Sequence, residues 1–383
     1  MLLFRQLSSL SPSVLRKPIS RTMSSLSPEN SRIHVLGLGS IGTFTAHSLR
    51  EIPNHPPVTL LLHRESLLDG YHQAGHQILL DTREGTRVGH GGFDLEVFRQ
   101  GNWTPVPTMA DRQMGSDYGG DSIINHLIVS VKATQTVSAL RPLRHRLSPG
   151  STILFLQNGC GMIEDVNETL FPDSQCRPSY IVGVVSHGVT SDRTFHVHHR
   201  GPAAMSLGPV PRKPGPTSSG GKQECNYLLH SLPQAPRLNA TAYSYIDVFQ
   251  IQLEKLAVNA FCNPLCALNN AKNGFLFTLP DTRREILTEI SAVVLALHEL
   301  QSVPGVRARF AVERLEATVN RILTQTAETT CSMVWDLRAG RETEVRYING
   351  YWVRRGREVG VRTPINESLM EQVLVRSSSS GHR

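Results

Sequence analysis

The sequence predicts two domains: an open, doubly wound α/β sheet, then an all-helical domain. Three observations lead there. A glycine-rich turn, Gly37-Leu38-Gly39-Ser40-Ile41-Gly42, stands between a short apolar run and a helical segment. Four further apolar runs follow, each ending in polar residues. From Tyr245 onward, strand-like runs give way to segments of helical periodicity. A chain of 383 residues has room for two such domains at about 150 residues each.

Order begins at Arg32. IHVLGLG reads as a buried strand entering the turn, and TFTAHSLREI as the helix leaving it. This is G-x-G-x-x-G in the strand–turn–helix setting that gives it meaning. Gly37 makes the tight turn, Gly39 admits a pyrophosphate to the backbone, and Gly42 lets the helix pack close. The helix N-terminus stabilises the phosphate charge. Residues 37–42 therefore mark a dinucleotide site of the Rossmann type.

The next strand, VTLLLHR, ends at His63 and Arg64. A site for NAD would place Asp or Glu there, on the ribose 2′-hydroxyl. Arg64 instead offers a fork suited to a 2′-phosphate, so the expected cofactor is NADP. The plainer reading is a surface arginine after a strand. Residues 65–120 read as loops and strand pairs around a bend at Gly89, Gly91 and Gly92. Leu127–Val131 is another buried strand, with Lys132 and Gln135 at its C-terminal end, where ligands bind in open sheets. STILFLQNGCG ends in Gln157-Asn158-Gly159, and the strand from Ile181 ends in Ser186 and His187. Polar residues beyond successive strand ends point to one ligand crevice.

His196, His198 and His199 lie along FHVHHRG. Zinc would need them to converge with a further ligand. A strand sends 196 and 198 to one face and 199 to the other, so a solvated strand is expected. Residues 211–222, PRKPGPTSSGGK, read as a flexible surface insertion.

The helical part opens on KLAVNAFCNPLCALNNAKNG. Lys255, Asn259 and Asn263 recur every four residues and form one polar stripe. The other faces are apolar, so the helix is buried and its stripe must line something polar. A snorkelling lysine with backbone-satisfied asparagines is the structural alternative. Pro264 removes a helical hydrogen bond and crowds the carbonyl of Ala260, so a kink is expected. Thr282 and Glu285 read as a capping box before ILTEISAVVLALHEL. ARFAVERLEATVNRILTQTA reads as an amphipathic helix, and Thr363-Pro364 as the start of the last one. The polar stretch from Ser332 to Gly350 reads as a functional loop, with Asn349-Gly350 a turn signal. The expected limits are a transit peptide or disordered tail at 1–30, a sheet domain at 31–243, a helical domain at 244–375 and a disordered tail at 376–383.

At 39% hydrophobic and 19% charged residues, the chain has the make-up of a globular protein rather than a disordered one. No apolar run approaches the roughly 20 residues that span a bilayer. The net charge of +7 is dispersed, and a polyanionic small molecule accounts for it without nucleic acid. The six cysteines show no CxxC pair and no zinc spacing, so a reducing compartment and no metal are expected. In residues 1–30 four basic residues alternate with leucines and serines, and no acid precedes Glu29. That is the composition of a mitochondrial transit peptide. A start at Met23 would omit it and leave a cytoplasmic form.

In this order GLGSIG, VKATQ, LQNG, KLAVN…NPL…NG and SM…D.RAGRETE…YINGY resemble the ketopantoate (2-dehydropantoate 2-) reductase family, over about residues 31–375. The resemblance implies NADPH-dependent reduction of ketopantoate to (R)-pantoate in pantothenate synthesis, and a helical domain like the C-terminal one of 6-phosphogluconate dehydrogenase. It implies Lys255 as proton donor, in a catalytic set with Asn259 and Glu344. Asn259, Asn263, Asn273 and Ser332 would contact substrate alongside Lys255, and Asn158 both substrate and cofactor. Residues 37–42, Lys132 and Glu344 would bind NADP, together with Arg64 and Gln135 from the strand-end reading. A further cofactor contact falls at Gly188, where the family's usual Thr-His-Ala reads Ser186-His187-Gly188. Cys331 replaces a common serine, and the 211–222 loop is longer than the family needs.

The implied chemistry is hydride transfer to the C2 carbonyl of a 2-oxo acid, with Lys255 stabilising the growing negative charge and donating the proton. Free lysine titrates at roughly 10.4, and burial should lower it. One alternative is an NADP-dependent dehydrogenase of another 2-oxo or 3-hydroxy acid, since fold does not fix substrate. Another is a non-enzymatic NADPH-sensing protein, which would not need Lys255, Asn259 and Glu344 together. The expected partner is a small-molecule substrate, ketopantoate, with neither nucleic acid nor membrane. A homodimer is admitted, although no residue requires it.

Overall fold

The computed structural model describes residues 31–107, 122–212 and 226–380. The segment read as a transit peptide and residues 213–222 of the Pro/Gly-rich loop lie outside them. The chain divides into two compact units. One holds the residues up to Gln157 with Ile163–Phe249, the other Asn158–Met162 with the residues from Gln250 on.

The strands, in chain order, are β1 (Ile33–Leu36), β2 (Val58–Leu62), β3 (Gln77–Thr82), β4 (Arg87–Gly91), β5 (Asp94–Arg99), β6 (Asn102–Pro105), β7 (His126–Val129), β8 (Thr152–Phe155), β9 (Ser179–Val185), β10 (Gly188–Arg193), β11 (His196–Gly201), β12 (Met205–Pro209) and β13 (Ala240–Ala242). Nine of them form one sheet, ordered β13-β12-β9-β8-β7-β1-β2-β5-β6. The run β5-β2-β1-β7-β8-β9 is parallel throughout. Numbered by appearance it reads 3-2-1-4-5-6, the doubly wound order that places a dinucleotide between the first and fourth strands. Every residue of β1, β2, β7 and β8 is buried, as parallel strands covered on both faces require.

A charged group sits in this sheet by pairing. Arg146 is fully buried and donates Nη1 and Nη2 to Glu96 at 2.5 and 3.0 Å, and Nε to the Ser122 carbonyl at 2.8 Å. Burial alone would raise the Glu96 carboxyl, but hydrogen bonds from His34 and Arg146 hold it down at about 2. Removing either partner of such a pair strands the other, at about 3–5 kcal/mol.

The remaining strands form a second sheet, β10-β11-β3-β4, packed on helix Ser40–Leu49. FHVHHRG is β11, and here the expectation of a solvated strand fails. His196 and His199 are 3% and 4% exposed, because β11 lies inside the sheet between β10 and β3. His199 meets the Phe44 ring of the covering helix at 4.7 Å between centroids.

In the other unit the long helix Tyr245–Asn269 runs on through Pro264 as one continuous helix. The carbonyl of Ala260, whose helical partner would be the absent N–H of Pro264, accepts instead from Asn349 Nδ2 at 2.9 Å. Asn349 is fully buried within helix Val345–Glu358. Asn349-Gly350 is therefore no turn, and the polar stretch before it is mostly helical, with Ser332–Arg338 preceding it. Gly350 packs closely, since a Cβ there would stand 3.0 Å from Met370 Sδ. Asn349 also donates to Asn366 Oδ1, and Glu289 accepts the backbone N–H groups of Ile365 and Asn366 at the start of helix Pro364–Ser380.

The capping box expected at Thr282 and Glu285 does not form. That helix starts earlier, at Pro280, with proline in its first turn and no side-chain cap. The amphipathic stretch after it breaks into Val306–Arg309 and Val312–Thr326.

Candidate active site

The glycine turn explains itself atom by atom. Gly37 has φ +96°, and a Cβ on it would lie 2.4 Å from the Val131 backbone nitrogen, two residues past β7. A Cβ on Gly42 would lie 1.9 Å from the Gly37 carbonyl oxygen, which also accepts from Ser130 Oγ at 2.6 Å. Gly39 differs. It precedes the helix Ser40–Leu49 in extended conformation, and a Cβ there would meet nothing within 4 Å. Two glycines are thus required by the protein's own backbone, and the third faces open space at a helix N-terminus, as a phosphate contact demands. Leu38 and Ile41 pack against the core of this unit. The residues present fit a bound dinucleotide.

Arg64 is exposed directly after β2, at the cap of helix Glu65–Gln73. Lys132 is half-buried past β7, and Gln135 is exposed three residues on. Gly188 is the exposed first residue of β10, opposite Gly201. His187, read as lining a crevice, turns inward instead. Its Nδ1 accepts from the Ala203 N–H at 3.0 Å, so its Nε2 donates to the Leu238 carbonyl at 2.8 Å. It is a buried tie between loops.

In the helical unit, Lys255 and Asn259 are half-buried and Asn263 is buried, all on the helix Tyr245–Asn269. Burial pushes the Lys255 ammonium down to about 8, against the opposing pull of the Glu344 carboxylate and Cys160. Glu344, itself 6% exposed, directly precedes the helix Val345–Glu358 without a side-chain capping bond. The structure therefore brings Lys255 and Glu344 into electrostatic contact although 89 residues separate them. Asn158 and Cys160 belong to the same unit: the Cys160 N–H donates to the Tyr347 carbonyl at 2.9 Å. Gly159 has φ +90°, and a Cβ on it would clash with Tyr347 at 2.7 Å.

The remaining asparagine is engaged within the unit. Asn273 Nδ2 donates to Thr326 Oγ1 at 3.1 Å, and its Oδ1 faces Cys266 Sγ at 3.7 Å. Ser332 is exposed at the first position of its helix. Cys331, just before it, directs Sγ toward the Asn263 carbonyl at 3.8 Å. Sequence reasoning missed Cys160 and Asn349. The signal for Asn349 was available: Pro264 leaves Ala260 without a donor, and a buried carbonyl must find one.

A family model described as ketopantoate reductase PanE/ApbA matches residues 33–212, and the model of its C-terminal domain matches residues 247–376. A 2-dehydropantoate 2-reductase of Yersinia pestis is 32% identical over 254 residues, covering 66% of this chain and 74% of the relative. A ketoisovalerate reductase of Gibberella fujikuroi is 29% identical over 359 residues, covering 84% and 77% respectively. Among solved structures, a ternary structure of D-mandelate dehydrogenase with NADH and anilino(oxo)acetate shares the fold, with TM-score 0.69 at 19% identity over 92% of this chain and 100% of that one. With both domains matched in order, the chain belongs to the ketopantoate reductase family of NAD(P)-binding oxidoreductases, acting on a small-molecule substrate.

Proposed function

We propose that this protein reduces 2-dehydropantoate to (R)-pantoate with NADPH, in the synthesis of pantothenate and coenzyme A. The observation that carries the reading is Lys255, half-buried and with its ammonium pKa lowered by burial to about 8, in one polar stripe with Asn259 and Asn263. Desolvating an ammonium disfavours folding, so a lysine kept in such a place points to a use outside the fold. Glu344 keeps it protonated near neutral pH, and its acidity then lies close to the working pH, where a proton donor is most effective. The bound dinucleotide supplies a hydride to C2 of the 2-oxo acid. Lys255 holds its ammonium at the carbonyl oxygen, stabilises the negative charge developing there and gives up a proton to it. Asn259 and Asn263 orient the substrate through neutral amides, adding no fixed charge that would compete with Lys255. The preference for NADPH rests on Arg64, exposed where a 2′-phosphate would lie.

A second reading is reduction of ketoisovalerate, and the similarity to the Gibberella fujikuroi enzyme favours it. Ketoisovalerate lacks the hydroxymethyl group that ketopantoate carries on C3, so the two acids differ by one carbon and the hydrogen-bonding hydroxyl on it. A site that bonds this hydroxyl leaves its own polar groups unpaired with the analogue. Steady-state NADPH oxidation with each acid separates the readings. We expect kcat/KM at least about tenfold higher for ketopantoate; equal or reversed values favour the second reading. We also propose that residues 1–30 direct the protein to mitochondria; a reporter carrying them that stays in the cytosol would refute this.

A further inference from the structure

The most unusual grouping outside the active site lies on the second sheet, on the face of β11 away from helix Ser40–Leu49. The register places His198 beside Asp81 of β3 and pairs Arg193 of β10 with His196. His196 and His198, two apart, share that face, with ring centroids 4.6 Å apart. Asp81 Oδ2 lies 3.0 Å from His196 Nε2 and 3.4 Å from His198 Nδ1. The three donor atoms fall within 4.8 Å of one another. The opposite ring nitrogens face a second carboxylate: Asp192 Oδ1 is 2.9 Å from His196 Nδ1, and Oδ2 is 3.3 Å from His198 Nε2.

This arrangement has a consequence for protons. If Asp192 accepts a hydrogen bond from each neutral ring, then both rings turn lone pairs toward Asp81 Oδ2. Three acceptors would then face one point, an arrangement that a bound cation satisfies. Carboxylates that hold the outer nitrogen of a ligating histidine are the usual support of a zinc site. A tetrahedron with bonds of about 2.0–2.2 Å has edges of about 3.3–3.6 Å; the 3.4 Å separation falls on one, and the 3.0 Å separation would widen by about 0.3 Å on binding. Two arginines belong to the neighbourhood. Arg87 donates Nε to Asp81 Oδ1 at 2.7 Å and Nη2 to Oδ2 at 2.9 Å, and it is 55% exposed, so it can leave Oδ2 while keeping Oδ1. Arg193 donates Nε to His196 Nδ1 at 3.3 Å; a cation at Nε2 would move the ring proton to Nδ1, which then turns from Arg193 to the nearer Asp192 at 2.9 Å. The other triad of this kind, His47, Glu51 and His90, has its donors 3.9 Å apart, with both Arg237 hydrogen bonds on the shared Glu51 oxygen. It lacks a second carboxylate of this kind.

We propose that Asp81, His196 and His198 form a site for a divalent transition metal of the zinc class, that Asp192 orients both histidines, and that the fourth position is open to water. The site clasps the β10–β11 hairpin to β3. It revises the sequence expectation of no metal, because the further ligand missing from FHVHHRG comes from β3 and the carboxylate that orients the histidines from β10.

The test uses the full chain, stripped with chelator and with its thiols alkylated, since Cys176 is exposed. Titration with ZnCl2 alone, followed by calorimetry, should give one saturable site and a higher thermal midpoint, neither reproduced by Mg²⁺. Asp81→Asn combined with His198→Ala should abolish the binding. Asp192→Asn keeps every ligand and should weaken it about 10–100-fold. Arg87→Ala frees Asp81 and should tighten it. Zinc binding that survives the double variant undiminished, or adventitious weak binding only, overturns the proposal. If the double variant does not fold, the opposite signs expected of Asp192→Asn and Arg87→Ala decide the matter, and equal affinities in those two also overturn it.

Discussion

The glycine turn and the lysine helix solve opposite problems. At Gly37 and Gly42 the fold and the cofactor want the same thing, because a side chain would collide with the protein's own backbone before it met any ligand. At Lys255 they want opposite things: the fold would be better served by an apolar residue, and the chemistry needs a charge. A site of the first kind is stable and easily read. A site of the second kind is held against a stability penalty, and its effect on turnover should be far larger than its effect on folding.

The largest effect should therefore come from Lys255→Ala. Loss of one positioned proton donor lowers kcat by about 10²–10⁴, and affinity for NADPH should barely move, since the glycine turn is untouched. Single-turnover rates and cofactor titration on the same variant check both halves. Gly42→Ala should behave in the reverse way, losing about 3 kcal/mol or more of stability through its clash with the Gly37 carbonyl. Gly39→Ala should fold like the wild type, with only its dinucleotide affinity falling. Denaturant melts of the two variants would blur the contrast if they lost equal stability.

Arg64→Ala should cost a charge-assisted hydrogen bond, about 1.5–3 kcal/mol, and so about ten- to a hundredfold of the NADPH over NADH preference. An unchanged cofactor ratio would put the 2′-phosphate elsewhere. The smallest effect belongs to the scaffold under the lysine helix. Asn349→Ala should destabilise by about 1–3 kcal/mol, because the Ala260 carbonyl loses the donor that replaces its helical one. In a Pro264→Ala background that loss should shrink, since the restored N–H serves the same carbonyl. A double-mutant cycle showing strict additivity would contradict the assignment.

The parts legible in the sequence share one property: their meaning is local. The glycine turn, the apolar runs of β1, β2, β7 and β8, and the four-residue stripe at Lys255 can each be read from a short window. What escaped depends on partners remote in the chain. His196 meets Asp81 across 115 residues, and Asn349 meets Ala260 across 89. Without those partners, FHVHHRG looked like a solvated strand and Asn349-Gly350 like a turn. His187 looked like a ligand group because it follows a strand end, but its bonds to Leu238 and Ala203 come from chain that no local rule brings near. Asn349 alone could have been found, by asking who satisfies a carbonyl that proline deprives of its donor.

The claim that Lys255 is kept for chemistry against the interest of the fold is tested most directly by the unfolding free energy of Lys255→Met relative to wild type, measured from pH 7 to 10. The ammonium titrates at about 8 in the folded protein and at an ordinary 10.5 when unfolded. Below pH 8 the folded state carries the full penalty of the buried charge, up to about 3 kcal/mol. Between 8 and 10.5 the unfolded chain binds the extra proton, so wild-type stability rises with pH relative to the variant. The account predicts a Lys255→Met protein that is more stable at pH 7, by a margin that narrows steadily toward pH 10. A variant less stable at pH 7, or a margin that does not change with pH, would contradict it.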